Sequence, residues 1–384
     1  MPQSFQKDCV ELALRRFRRG GFDRRALLSG LAALRANLGA ILGVILGAAV
    51  AAGPALALGG RSLVVVNGGG IANEDLGRFY GDPFTAANPG MRVTQDITGP
   101  SAGRICSMVE SRPVTWDLCD SSASSAVVLV GMNLLEKMDY SVIDRTKVIS
   151  PGFALKHGAV PYSFSSVLAY DSSKFPTPPT PWADFCDLRR CPGQRLLRRD
   201  ALGAPDAPMM SLDRAPAQVY PIDTRAAPRL VGELRRNTVY WNSGNEREQF
   251  MRTGWAVMGQ IWHTRTTVVA RETQGQSKFI WNQDRLQPGI FVAPRGNPGG
   301  ELTQRLLAPM LINEEGQVGL LGLLGNGPTN PAAAAAAAAR VSAEMRGSNP
   351  TDPENERQQL VLNGAWWGAN YQQANPDFLE TITV

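Results

Sequence analysis

Short apolar runs recur along the chain, each closed by glycine or small polar residues and followed by helical periodicity. Leu63-Val64-Val65-Val66 ends in Asn67-Gly68-Gly69-Gly70, the pattern of a buried parallel strand that turns tightly into a helix. That helix is expected to start near Asn73, a suitable cap, and to carry Leu76, Phe79 and Tyr80. Met91-Arg92-Val93-Thr94 predicts a second strand and Arg104 to Val109 a helix. Trp116 to Asp120 predicts a third strand ending in a turn over Ser121 to Ser125, and Val127 to Leu135 the next helix. Strands that alternate with helices in this way give an α/β architecture.

The middle of the chain, from Pro176 to Pro228, is rich in proline and arginine, and regular structure resumes near Thr238. Strands are expected at Ala256–Ile261 and Gly289–Ala293. Pro331 precedes an unbroken alanine run, whose plain reading is a surface helix. Residues 346–358 are polar and proline-interrupted and read as a loop. No internal repeat of useful period is present.

With 384 residues the chain is long enough for two lobes, each with its own core. Its formal charge is +5, but residues 1–57 hold Lys7 and seven arginines against Asp8, Glu11 and Asp23. The remainder is neutral, so the charge does not point to nucleic acid as a partner of the folded part.

Residues 1–57 read as an export signal. Arg24-Arg25 precedes an apolar run from Leu38 to about Val50, and Ala55-Leu56-Ala57 supplies a small-x-small cleavage site. The paired arginines suit twin-arginine export and imply a periplasmic location, with cleavage near Ala57. The competing reading is a retained anchor, since Leu38 to Leu58 is roughly long enough to span a bilayer. Four cysteines follow, of which Cys186 and Cys191 flank a short loop. They are either a disulfide of an oxidising compartment or a pair of small apolar fillers. Only His157 and His263 are available as histidine ligands and no C-x-x-C occurs, so neither a metal site nor a cofactor is expected.

Several phrases, in order, resemble the extracellular solute-binding proteins of spermidine/putrescine-type ABC transporters. They are Phe79-Tyr80-Gly81-Asp82-Pro83-Phe84, Asp117 to Ser122, Gly131 to Ser141, Val160-Pro161-Tyr162-Ser163, Pro181 to Phe185, Val219 to Asp223 and Gly254 to Arg265. Trp281-Asn282-Gln283, Gly327 to Asn330 and Trp366-Trp367 complete the series, which spans roughly residues 62–371.

The resemblance implies a type II periplasmic-binding fold, two α/β lobes joined by crossing hinge strands with a cleft between them. Lobe 1 would comprise residues 60–164 and 289–345, lobe 2 residues 165–288, and residues 346–384 would pack on the lobes. It implies a monomer that captures a small solute, a polyamine or other small organic ion, and delivers it to a membrane permease without catalysis. Rival readings are a degenerate surface or sensor protein, or an enzyme using Cys106 or Cys119.

Ligands of such sheets sit beyond strand C-terminal ends. That nominates Gly69 and Gly70, which otherwise form only a tight turn, and Ser121 and Ser122, with Ser122 favoured and Asp120 holding the turn. Tyr162 is a ligand contact or a hinge-packing aromatic. Trp262 offers an indole face to a cationic amine or walls the pocket, and Trp281 is a weaker second. Two departures stand out: where amine-binding relatives carry carboxylates, this chain has Arg265 and Gly289. Arg265 in the cleft would suit a carboxylate- or phosphate-bearing solute; pointing away, it would tie the lobes.

Overall fold

The computed structural model describes residues 61–68, 71–111, 113–144, 146, 154–201, 209, 218–223, 226–241 and 244–383. The expected export signal therefore lies outside the described residues, as do Gly69 and Gly70. Among the described residues, no helix is long and apolar enough to cross a membrane.

The strands in chain order are β1 (Arg61–Val66), β2 (Met91–Asp96), β3 (Leu118–Ser122), β4 (Ala154–Leu155), β5 (Gly158–Asp171) and β6 (Arg195–Arg198). They continue with β7 (Thr238–Trp241), β8 (Met258–Trp262), β9 (Ser277–Val292), β10 (Gly327–Pro328) and β11 (Leu360–Val361). Along the sheet the order is β2-β1-β3-β9-β5-β8-β6-β7. At one end β2, β1 and β3 are parallel; at the other, β8, β6 and β7 are parallel.

Between these ends run β5 and β9, antiparallel to each other and shared by both halves. Tyr162 pairs with Gly289 beside β3, whereas Tyr170 pairs with Lys278 beside β8. Register shifts fall between Ala159/Tyr162 and Ser166/Leu168. Such irregularities locally bend and twist the strands that carry them.

The main helices are α1 (Ile71–Leu76), α2 (Asp82–Ala87), α3 (Ala102–Ser111), α4 (Ala123–Gly131), α5 (Ala226–Leu234), α6 (Gly244–Arg252) and α7 (His263–Glu272). They are followed by α8 (Glu301–Ile312), α9 (Glu314–Leu324), α10 (Pro331–Arg340) and α11 (Gly364–Thr383). Helices cover both faces of the first sheet. Leu63 and Val65 pack with Leu306, Met310 and Leu320, while Val66 packs with Ile105 and Leu129. This period-two split explains why the strand reads as an unbroken apolar run. A separate core holds Leu197, Val231, Trp367 and Phe378, so the buried side chains of α11 pack with the second half. Its first turns also lie on α4, where Gly368 leaves room for Val127.

Local signals set the boundaries. Asn330 caps α10 by accepting from Ala332 and Ala333 N–H groups, with Pro331 in the first turn. The alanine run forms the expected helix, with Ala333 and Ala337 buried against Val318 and Leu321. Gly325, at φ 84°, ends α9. Phe79 and Tyr80 lie against Gly319 and Gly316 of α9, where any larger residue would collide with the rings.

Several expected boundaries are corrected. The first helix starts at Ile71 and continues through a π-turn over Gly77–Gly81 into α2, so Asn73 is not its cap; its side chain accepts from Asn67 instead. The third strand begins at Leu118, two residues late, because Asp117 is spent accepting the Val64 and Gly299 N–H groups. The next helix begins at Ala123 because Ser122 caps it, and Leu135 bridges to Pro294 instead. The strand expected at Ala256–Ile261 spans Met258–Trp262, and that at Gly289–Ala293 is the end of the 16-residue β9. The expected loop 346–358 contains a helical turn, Pro353–Glu356, capped by Asp352.

Candidate functional site

A cavity of about 420 Å³ opens where the strand ends of the two halves face each other. Three helix N-termini converge on it. Ser101, Ala102 and Gly103 come from the start of α3; Ser121, Ser122 and Ser125 from the start of α4; Trp262, Thr264 and Arg265 from the start of α7. Each helix follows a strand or loop that ends at the cavity, so the topology itself aims the positive ends of their dipoles inward.

Ser122 Oγ accepts the Ser125 N–H at 3.3 Å and caps α4. Trp262 occupies the cap position of α7 but makes no side-chain capping bond. Asp120, at the end of β3, accepts the Tyr162 hydroxyl at 2.6 Å. Burial pushes the Asp120 carboxyl up to about 7, against the opposing effects of that hydrogen bond and of Arg265. Asp120 thus lines the cavity instead of merely holding the turn.

Arg265 is buried and donates to Glu248 Oε1 at 2.9 Å and to the Gly68 carbonyl at 3.4 Å. It therefore does both things the sequence left open. It lines the cavity, and it ties α7 of the second half to the end of β1 in the first. Trp262 approaches the same Gly68 and stacks edge-on against Phe164 and Trp241, with centroids 5.8 Å apart in each case. Over its ring lies Arg247 of α6, whose guanidinium carbon is 3.6 Å from the Trp262 ring centroid.

Five of the eight nominated residues, Ser121, Ser122, Tyr162, Trp262 and Arg265, share this one cavity. Gly69 and Gly70 lie outside the described residues, although the adjacent Gly68 lines the cavity. Trp281 is corrected: it stands away from the cavity, packs against His263 and Phe279, and donates to the Gly347 carbonyl. It lies on the stretch of β9 beyond the crossing, remote from Gln287, which does line the cavity.

The sequence reading also missed Arg198, Arg199, Asp200, Trp241 and Tyr371. The first three were findable in principle, since Arg198 ends β6 and Arg199 and Asp200 follow it directly. Tyr371 comes from α11, far along the chain, and no local signal marks it.

Gly289 has a steric explanation. It is the register partner of Tyr162, and an added Cβ would fall within 2.9 Å of the ring's Cδ2 and closer to its neighbours. Where a carboxylate was expected from the resemblance, the Tyr162 ring fills the space.

The cysteines show no sign of activation. Cys119 is fully buried in β3, and burial first, then Asp117 and Asp120, push its thiol well up. No disulfide joins Cys186 to Cys191. Among the described residues, no group of three acidic, histidine or cysteine side chains could hold a metal ion.

The model of the family described as bacterial extracellular solute-binding proteins matches residues 80–346. The gamma-aminobutyric acid-binding protein of Pseudomonas aeruginosa is 25% identical over 255 residues, covering 65% of this chain and 71% of that protein. The binding protein AgtB of Agrobacterium tumefaciens R10, solved with agropinic acid, is 25% identical and superimposes with a TM-score of 0.77. The match covers 84% of this chain and 99% of AgtB. The spermidine/putrescine-binding protein PotD of Streptococcus pneumoniae shares the fold at 16% identity and a TM-score of 0.62, over 84% of this chain and 100% of PotD.

Proposed function

The chain belongs to the bacterial extracellular solute-binding proteins, and from that premise we propose that its cavity captures a small organic solute bearing a carboxylate for delivery to an ABC-transporter permease. The observation that carries the proposal is the convergence of the α3, α4 and α7 N-termini on one cavity that also holds Arg198, Arg199 and Arg265. Helix N-termini and guanidinium groups both favour anions. Burial raises the Asp120 carboxyl to about 7, so near neutrality it is about half protonated and opposes an anion less than an ordinary carboxylate would.

The ligands named for the two relatives, gamma-aminobutyric acid and agropinic acid, both carry a carboxylate. A polyamine fits the site poorly. Its ammonium groups would face Arg265, and the two positions expected to supply carboxylates hold that arginine and Gly289.

The accompanying organisation is part of the same proposal. Lobe 1 is residues 60–164 and 289–345, lobe 2 is residues 165–288, and residues 346–384 brace both. Residues 1–57 direct the chain to the periplasm, where it works as a monomer and not as an enzyme. Ser121, Ser122, Tyr162, Trp262 and Arg265 contact the solute.

A thermal-shift series on the purified protein tests the ligand class, with 4-aminobutyrate, succinate, putrescine and spermidine as probes. A ligand at about 100 times its Kd stabilises by about 2.7 kcal/mol. The expected result is a higher Tm with at least one carboxylate. Shifts with both amines and with neither carboxylate would sink the proposal.

A further inference from the structure

We infer that Arg247 is a specificity-determining residue: by occupying one face of Trp262 with a cation, it makes the remaining surface of that ring reject ammonium groups and tolerate anionic ones. It does so without touching the solute. This inference rests on the carboxylate reading for its biological meaning, but its physical core does not depend on any ligand.

Arg247 lies on α6 and is fully buried. None of its guanidinium nitrogens has a hydrogen-bond partner among the described residues. The group sits in the corner between two nearly perpendicular indoles, 3.6 Å from the centroid of Trp262 and 4.4 Å from that of Trp241. Both indoles line the cavity; Arg247 lies behind them.

The nearest carboxylate cannot neutralise it cheaply. Glu248 is held by Arg265 at 2.9 Å and lies 3.6 Å from Arg252. Burial, and next the charge of Arg265, disfavour the charged form of Arg247. A guanidinium nevertheless keeps its proton in proteins, so its charge acts on its surroundings.

An indole attracts a cation because its faces are electron-rich. Here one face of Trp262 is already taken. An ammonium on the opposite face would sit about twice a stacking distance from the guanidinium, with only the ring between them. At an effective dielectric of about 20 that repulsion is worth on the order of tenfold or more in affinity. An anionic group at the same place gains from the same field. Trp262 therefore does not act as the amine-attracting wall that an isolated indole would be.

Two variants separate charge from packing. Arg247→Met removes the charge and keeps an unbranched apolar stem, and Arg247→Lys keeps a charge. Because the cation has no partner, Arg247→Met is expected to hold or raise the Tm, as apolar replacement of buried charge often does.

The first readout needs no ligand. Quenching of the Trp262 emission, taken as the difference from Trp262→Phe, is measured with iodide and with caesium. The wild-type protein should favour iodide, and Arg247→Met should lower the iodide-to-caesium ratio several-fold. Arg247→Lys should preserve it.

The second readout is the affinity ratio of 4-aminobutyrate to putrescine, two chains of equal length that differ at one end. Arg247→Met should narrow it by about tenfold. An unchanged quenching ratio in Arg247→Met, or a marked loss of Tm, overturns the inference. A changed quenching ratio with no binding of either probe leaves the inference standing and counts against the carboxylate reading alone.

Discussion

Gly289→Ala places the first test on the residue whose role is a missing side chain. Gly289 pairs with Tyr162 across β5 and β9 and also faces Ser122 across β3. A Cβ there would fall within 2.9 Å of Tyr162 Cδ2, and nearer still to Cε2 and Cζ. Non-bonded carbons prefer a separation of about 3.5–4.0 Å, so the ring must shift by more than an ångström. It cannot shift freely, because Phe164 and Phe291 pack on it with centroids 6.1 and 6.3 Å away.

Overpacking of this kind costs about 1–3 kcal/mol. A displaced ring also withdraws its hydroxyl from Asp120, which loses a buried hydrogen bond worth about 1–3 kcal/mol. Together these give roughly 2–6 kcal/mol, or a fall in Tm of roughly 3–8 °C for a chain of this size. Thermal melts of Gly289→Ala, Tyr162→Ala and the double variant measure the coupling directly. In the Tyr162→Ala background the glycine substitution should become nearly neutral, because the colliding ring is gone. A cost below about 0.5 kcal/mol in the wild-type background, or an equal cost in both, would refute the steric account of the missing carboxylate.

Two further predictions concern protonation. The Asp120 carboxyl, pushed up to about 7, is neutral in acid and gains its charge as pH rises through that value. Affinity for an anionic solute should therefore decline above about pH 7, by up to about tenfold per unit where binding requires the protonated form. Asp120→Asn should flatten this profile in calorimetric titrations from pH 5.5 to 8.5; an unchanged slope would place its origin elsewhere. His263 is fully buried, and burial lowers its pKa from 6.5 to about 4, partly offset by its bonds to Gly325 and Ser165. The unfolded chain takes up this proton first, so stability is present above about 6.5 and is lost as pH falls towards 4, by about 3 kcal/mol. Urea unfolding of His263→Gln should lack this part of the acid slope, and a slope equal to wild type would contradict the burial argument.

How much of this was legible in the sequence depended on whether a signal was local. The strand ends at Asn67-Gly68 and Ser121-Ser122 could be read because parallel sheets bury apolar runs and stop them at small polar residues. In such sheets the stop is also where ligands sit. Trp262 and Arg265 were placed by resemblance, and they line the cavity that those strand ends also reach. Trp281 was misplaced because β9 runs for 16 residues through both halves. Sequence alone does not say which part of such a strand faces the cleft. Arg247 was invisible for a different reason: within the polar run Glu246-Arg247-Glu248-Gln249 it reads as one more solvated charge, and only the fold turns it inward. Tyr371 reaches the cavity from the C-terminal helix, a contact that no spacing rule anticipates.

Arg265 and Arg247 together decide how the site discriminates. Taken alone, Arg265 invites the picture of one guanidinium clamping one carboxylate. Its Nη1, however, is committed to Glu248 at 2.9 Å, and its Nη2 reaches the Gly68 carbonyl at 3.4 Å. A solute that took the full strength of Arg265 would leave Glu248 buried and deprived of that partner, at a cost of several kcal/mol. Discrimination then draws also on features that do not give up an ion pair to act: the dipoles at the starts of three helices, and the charge of Arg247 acting through Trp262. These are fixed features that need no rearrangement when a solute arrives, and salt screens the buried Arg247 little. Selectivity for charge is on this reading a property of the field that the fold builds at the cleft. It should survive changes in solute length better than a single bidentate ion pair would.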